Sequence, residues 1–253
     1  MLLPGKQAII IILANKEARK SCPETRGGGY RGACPETYGE GGLEERMRSK
    51  SAFVRPVVIV NVIIVVLEII ALIHDCMVFG PALVKWYTID SNVLQMGVSA
   101  LVVYYCMKGR KIPGLVTALH FISAVGLTIT FLIAAFVLAP EGGIHYYFID
   151  NVAPINHLIG PALSVISLLF LEKTQKQPMR IVLWPAVVSL LYGAICLVLN
   201  ACRVLDGPYF FLQVHEQPAG VIALWFGIIA VLCLGLSLLY YWIKWGRVLS
   251  CPH

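Results

Sequence analysis

Charged residues are scarce in this sequence. They make up 13% of the chain, whereas hydrophobic residues make up 58%; soluble globular domains carry about 25% charged residues. This scarcity excludes a soluble globular protein. Several uncharged apolar runs reach the ~20 residues that an α-helix needs to cross a bilayer. The composition therefore predicts an all-α, polytopic membrane protein.

Patterns that would hold a metal ion, a nucleotide or a disulfide framework are also lacking. The eight Cys residues are scattered. Cys22 and Cys34 each begin a repeated Cys-Pro-Glu-Thr segment, but no CxxC pair or nearby His completes a metal site. We therefore expect no cofactor and no metal. The net charge of +6 is not gathered into a basic patch interleaved with aromatic residues, so nucleic acid is not an expected partner.

Residues 1–52 differ from the rest of the chain. They form a polar, Gly-rich segment that contains the repeat, and such a segment has too little apolar surface to bury a core. Its one apolar run, from Ala8 to Ala14, is too short to span a membrane and lacks a clear small-residue cleavage site for a signal peptide. We predict a disordered cytoplasmic tail, with Met47 as an alternative start of the protein.

Six apolar segments predict one transmembrane domain over residues 53–247. Ten of the twenty Lys and Arg residues precede residue 56, and of the others only Lys85 and Arg203 fall in loops on the opposite side. Because Lys and Arg are retained in cytoplasmic loops, both termini are expected inside the cell. The expected location is the cell membrane, and the oligomeric state stays open. The spans are expected near residues 54–79, 87–107, 114–139, 153–172, 180–202 and 219–245.

A polar stripe opens the second predicted span. Thr88, Ser91, Asn92 and Gln95 are spaced so that they share one face of a helix. Hydrocarbon offers no hydrogen-bond partner, so this face is expected to look into the protein, toward a partner or a small wet cavity. Helix capping is the alternative, since Thr, Asp and Ser are ordinary first-turn residues.

Two ionisable residues lie within predicted spans. Glu68 is seven residues after Asn61 on one face of the first span, and His120 is in the third span. An ionisable group inside a membrane is a functional hypothesis by default, because its burial costs at least ~2.5 kcal/mol on insertion scales. A structural role is the alternative, with a protonated Glu68 and a neutral His120 each bonding a neighbouring helix.

His157 opens the fourth predicted span. Pro161 cannot donate to the backbone carbonyl of His157, so the helix is expected to be kinked at His157, with a free carbonyl beside the imidazole. The second and fourth spans start on the same side of the membrane, which brings Thr88 and His157 to depths that match within roughly 5 Å. The positive ends of both helix dipoles favour a neutral imidazole and a developing oxyanion. A hydroxyl beside a neutral His is the minimal nucleophile–base pair.

Three short blocks resemble the androgen-induced family of multi-pass membrane hydrolases. They are Trp86-Tyr87-Thr88-Ile89-Asp90-Ser91-Asn92, then Asp150-Asn151 with Pro154, Asn156, His157 and Pro161, and finally Tyr209-Phe210-Phe211-Leu212. The first block is closest to the form found in bacterial relatives. In the last block Phe210 stands where the family has Pro. The resemblance covers residues 85–220 and implies a Thr nucleophile at Thr88 and a His base at His157.

The sequence as a whole therefore predicts a membrane hydrolase that cleaves a fatty-acyl ester in the outer half of the bilayer. Its partner would be a lipid or lipid-like acyl ester. The alternative is a non-enzymatic membrane protein, such as a small-solute or proton-coupled carrier that uses Glu68 and His120, or a lipid-binding scaffold. Beside Thr88 and His157, the candidate oxyanion or substrate-binding residues are Ser91, Asn92, Asn156 and Tyr209.

Overall fold

The computed structural model describes the backbone of residues 40–246 and the side chains of residues 56–246. The chain divides into two units, Met1–Arg46 and Met47–His253, and the account below concerns the second. The predicted disordered tail lies largely outside the described residues.

Six main helices follow one another, and no β-strand occurs in the described part of the chain. Each coincides with a predicted apolar segment to within a few residues, except that the first begins well before residue 54. A short helix, Ile144–Phe148, lies between the third and the fourth. The helices are α1 (Glu40–Phe79), α2 (Tyr87–Met107), α3 (Gly114–Gly142), α4 (Ile155–Leu171), α5 (Met179–Ala201) and α6 (Ala219–Trp245).

Four of these helices are long and apolar enough to cross a membrane. They are α3, α5, α6 and the part of α1 that continues through a 3₁₀ turn, Pro56–Lys85. α2 carries the polar stripe, and α4 is a shorter apolar helix. The described part of the chain is therefore all-helical, and by length and composition these helices are those of a membrane protein. Passage of all six helices through the membrane stays a prediction.

α3 lies at the centre of the bundle and packs against α2, α4, α5 and α6. Phe121, Ala124 and Val125 on α3 are completely buried. Large apolar side chains such as Ile70, Val198 and Val231 are instead exposed on the outer helices. This distribution suits a protein surrounded by lipid. Lipid tails are as apolar as the protein core, so Ile and Val side chains gain no hydrophobic free energy by being buried.

Polar side chains line the interior between α1, α2 and α4. The stripe on α2 faces inward as predicted, because Ser91, Asn92 and Gln95 are at most 6% exposed. α1 buries a polar residue at every seventh position, namely Asn61, Glu68 and Asp75. Seven residues make nearly two helical turns, so these three side chains follow one face along about 21 Å of α1.

Candidate functional site

Two cavities meet at one end of the bundle. The first, which we call the apolar chamber, has a volume of about 60 Å³ and is walled by side chains such as Ile129, Leu190 and Phe226. The second, which we call the polar vestibule, has a volume of about 400 Å³, and its wall combines apolar side chains with polar ones such as Asp75, Asp150 and Tyr147. Four residues belong to the walls of both cavities: Thr88, Leu138, His157 and Tyr209.

Thr88 is held at the start of α2 by its neighbour Tyr87. The 3₁₀ turn Gly80–Lys85 ends at Trp86, whose extended backbone starts α2 at Tyr87. The Tyr87 hydroxyl lies 2.7 Å from the Ser189 hydroxyl on α5. It also lies so near Gly126 on α3 that a Cβ there would come within 2.9 Å of it. These two contacts anchor the first turn of α2 and place Thr88, which is half-buried, at the cavity junction.

His157 lies in a wide turn at the start of α4. Residues Ile155–Ile159 form a π-helical turn, which ends where Gly160 and Pro161 begin a regular helix. Pro161 has no N–H to donate, and the structure has this π-helical turn where the sequence predicts a kink. His157 Nδ1 lies 3.3 Å from the Ala153 carbonyl oxygen. A carbonyl only accepts hydrogen bonds, so this contact favours the tautomer with the proton on Nδ1, which leaves the lone pair of Nε2 to act as a base. The backbone of Tyr147 also lies beside the ring.

Tyr209 comes from the loop between α5 and α6 and reaches the start of α2. Its hydroxyl lies close to the Thr88 side chain and to the backbone of Tyr87 and Thr88. Its ring packs edge-on against Trp86, at 5.9 Å between ring centroids. Burial raises the pKa of Tyr209 to about 12, although the nearby polar groups of Thr88 partly oppose the rise. The phenol therefore stays protonated at neutral pH and is able to donate a hydrogen bond.

The other residues of the predicted site are placed differently. Ser91 donates to the backbone oxygens of Tyr87 and Thr88, at 2.8 and 3.0 Å, and lines neither cavity. Asn92 also lies outside both cavities and donates to the backbone oxygen of Asn156 at 3.2 Å. Asn156 lines the vestibule and donates to Asp75 Oδ2 at 2.9 Å. Of the four candidate binding residues, the structure thus brings Tyr209 and Asn156 to the cavities.

His120 belongs to a second polar cluster, outside both cavities. His120 Nδ1 lies 2.9 Å from Glu172 Oε1, and both side chains are completely buried. Gln95 Oε1 accepts hydrogen bonds from Ser123 and Ser164 beside this pair. The contacts fit the structural alternative that the sequence left open for His120. Glu68 also lies outside both cavities, between the polar vestibule and the cluster around His120.

Sequence reasoning missed Asp75 and Glu172 as members of these clusters. The spacing of seven residues from Glu68 to Asp75 is a signal that points to Asp75. Nothing local marks Glu172, because it follows α4 directly and precedes a run of Lys and Gln that resembles an exposed loop. Its burial depends on packing against α3 and α6.

No family model, no curated protein and no solved structure matches this chain. The resemblance to the androgen-induced family therefore stays a prediction from the three short blocks.

Proposed function

We propose that the protein is a membrane-embedded hydrolase of acyl esters, with Thr88 as nucleophile and His157 as general base. The observation that carries this proposal is the meeting of an apolar and a polar cavity at Thr88, His157 and Tyr209. An acyl ester has the same two-sided character. The first carbons of its acyl chain fit the apolar chamber, its alcohol part fits the polar vestibule, and its carbonyl carbon then lies at the junction.

The reaction proceeds in two halves. Thr88 Oγ1 attacks the ester carbonyl while the imidazole of His157 takes its proton, and the tetrahedral intermediate collapses as His157 returns the proton to the departing alcohol. Water then attacks the acyl-Thr88 ester with His157 again as base, which releases the carboxylic acid and restores Thr88. Tyr209, as a protonated phenol beside Thr88, is the best-placed donor to the oxyanion.

The proposal includes a topology. All six helices cross the membrane, both termini are cytoplasmic, and the cavity junction lies in the outer half of the bilayer of the cell membrane. The charge asymmetry of the loops and the matching positions of the helices support it. In this arrangement a lipid-like ester reaches the site from the outer leaflet.

The test is labelling of the purified, full-length protein by a fluorophosphonate probe, with the modified residue mapped by mass spectrometry. We expect the probe on Thr88 and no labelling of Thr88→Ala. Thr130→Ala is the matched control, because Thr130 lines the same chamber and hydrogen-bonds only with the Gly126 carbonyl at 3.1 Å. Labelling that persists in a folded Thr88→Ala protein would contradict the proposal.

A proton-coupled carrier is the second candidate function, favoured by the burial of Glu68 and His120 at 2% and 0% exposure. A carrier needs a polar path through the bundle, whereas a hydrolase needs only the cavity junction. Proton-coupled flux in proteoliposomes that is lost in Glu68→Gln but kept in Thr88→Ala would favour the carrier over the hydrolase.

A further inference from the structure

Three oxygen atoms converge on the empty side of Gly160 in α4, and all three are hydrogen-bond acceptors. A Cβ on Gly160 would lie 2.6 Å from Glu68 Oε1, 2.9 Å from the Ile155 carbonyl oxygen and 3.5 Å from Asn92 Oδ1. Glu68 and Asn92 are 2% and 3% exposed. Both side-chain oxygens are buried without a hydrogen-bond partner. The Ile155 oxygen already accepts the Gly160 N–H.

The orientation of the Asn92 amide follows from its other contacts. Its nitrogen lies 3.2 Å from the Asn156 backbone oxygen, and a backbone oxygen only accepts, so the amide must present its N–H groups to Asn156. Asn156 in turn must present its own N–H to Asp75, since a carboxylate only accepts. Asn92 Oδ1 is therefore directed away from Asn156 and lies on the side of Gly160 and Glu68. A flip of either amide would set acceptor against acceptor.

No positive charge from the described side chains neutralises Glu68. Among residues 56–246, no side chain forms a hydrogen bond or an ion pair with it, and the one charge that acts on it is the carboxylate of Asp75, which has the same sign. The partners that face it from α2 and α4, Asn92 and Gly160, are uncharged. An ionised carboxylate in this position would be strongly disfavoured, because buried charges need a counter-ion or hydrogen-bond donors.

We propose that Glu68, Asn92 and the Ile155 carbonyl form a buried site for a proton, which Glu68 carries and donates to Asn92 Oδ1. A proton is the ligand that fits best, because it needs only a donor oxygen and one acceptor. A metal cation such as Na⁺ would need more oxygen ligands than the three that converge here. Since Asn92 and Asn156 join this site to Asp75 at the vestibule wall, the protonated acid also ties α1 to the π turn that carries His157. The proposal does not depend on hydrolase activity.

Infrared spectroscopy of the full-length protein in lipid nanodiscs at neutral pH tests the proton. We expect the stretching band of a protonated carboxyl group in the wild type. The band should vanish in Glu68→Gln, whose amide N–H replaces the acid as donor to Asn92 and keeps the fold. Glu172→Gln is the matched control, because Glu172 is an equally buried acid that pairs with His120, and it should keep the band. Absence of the band from the wild type, or its persistence in Glu68→Gln, would overturn the proposal.

Two further measurements keep the test decisive if Glu68→Gln does not fold. In the wild type, ¹³C labelling of Glu side chains should shift the band to lower frequency, whereas labelling of Asp side chains should leave it in place; the reverse would overturn the assignment. Melting temperatures in NaCl and KCl at equal ionic strength should coincide. A rise that is specific to Na⁺ would show a metal ion in place of the proton.

Discussion

At the scale of single residues, Thr88 differs from the polar residues that share its helix face. Ser91 and Gln95 have hydrogen-bond partners inside the protein, and neither residue lines a cavity. Thr88 keeps its side chain at the cavity junction, beside the Tyr209 hydroxyl. A hydroxyl that stays accessible among buried neighbours is the one that a substrate can reach.

The catalytic pair is tested by its non-additivity. His157→Ala should lower the rate of ester hydrolysis by roughly 10²–10⁴-fold, because general-base assistance is worth about that much. Thr88→Ala should lower the rate at least as far, and the double variant should be hardly slower than Thr88→Ala alone, since the two residues act as a unit. Thr88→Ser retains the hydroxyl and is expected to keep activity. Losses that multiply in the double variant would argue against a shared step. Initial rates on a fatty-acyl ester supply the measurement.

Tyr209 makes a prediction about pH. Burial raises the pKa of Tyr209 from the ordinary tyrosine value of 10.0 to about 12, so its neutral form is favoured by folding. The stabilisation is complete below pH 10 and is lost as pH rises toward 12, because the unfolded chain ionises first. The melting temperature of the wild type should therefore fall more steeply over this range than that of Tyr209→Phe. Parallel curves would show that the phenol is not buried against Thr88.

Within single elements, the π turn Ile155–Ile159 allows α4 to approach α1 and α2. Gly160, which follows the turn, has no side chain, so Glu68 and Asn92 come close to the backbone of α4. The turn also gives the Ile155 oxygen a partner in the Gly160 N–H. His157 lies in this turn, three residues before Gly160, and is therefore about one helical turn away from the contact with α1.

Gly160→Ala should therefore be destabilising. The added Cβ would lie 2.9 Å from a backbone oxygen, which is unable to move aside as a flexible side chain would. We expect a loss of roughly 1–3 kcal/mol in the free energy of unfolding, as for other overpacked sites. Gly227→Ala is the control, because nothing lies within 4 Å of that position in α6, and it should be neutral or slightly stabilising. Unfolding in SDS–detergent mixtures measures both, and equal stabilities would refute the close approach.

The contact between α3 and the end of α4 depends on the buried pair His120 and Glu172. His120→Leu leaves the Glu172 carboxylate without this partner and should cost roughly 3–5 kcal/mol. Adding Glu172→Leu should recover part of that loss, since an apolar pair needs no counter-charge. A double-mutant cycle of unfolding free energies measures the coupling. If the two losses simply add, the pair does not hold these helices together.

For the whole molecule, the topology decides whether the site faces the outer leaflet. Reporter fusions after Lys111, Arg180 and His253 should all report the cytoplasm, because Lys and Arg concentrate in the corresponding loops. A fusion in the loop that contains Arg203 should report the opposite side and serves as the control. A report from outside at any of the first three positions would contradict the six-span arrangement, and with it the shared depth of Thr88 and His157.

The positions of the helices follow from the amino-acid sequence. Local signals, namely apolar runs, Pro residues and the spacing of polar residues, predicted the bounds of α2 to α6 to within a few residues. The same spacing predicted that Ser91, Asn92 and Gln95 face the interior. The deviation at His157 also followed from one residue, Pro161, since the missing N–H is a local property. Local signals suffice here because each backbone hydrogen bond of a membrane helix closes within its own segment.

Which distant residues come into contact depends on the packing of the whole bundle. No local signal brings Tyr209 from the α5–α6 loop to Thr88, buries Glu172 against His120, or sets Glu68 and Asn92 beside the bare face of Gly160. These contacts join residues that are 52 to 121 positions apart. They depend on how the side chains of all six helices pack together. The two cavities have the same origin, because a cavity is the space that packed helices leave between them, and its shape is a property of the bundle and of no single segment.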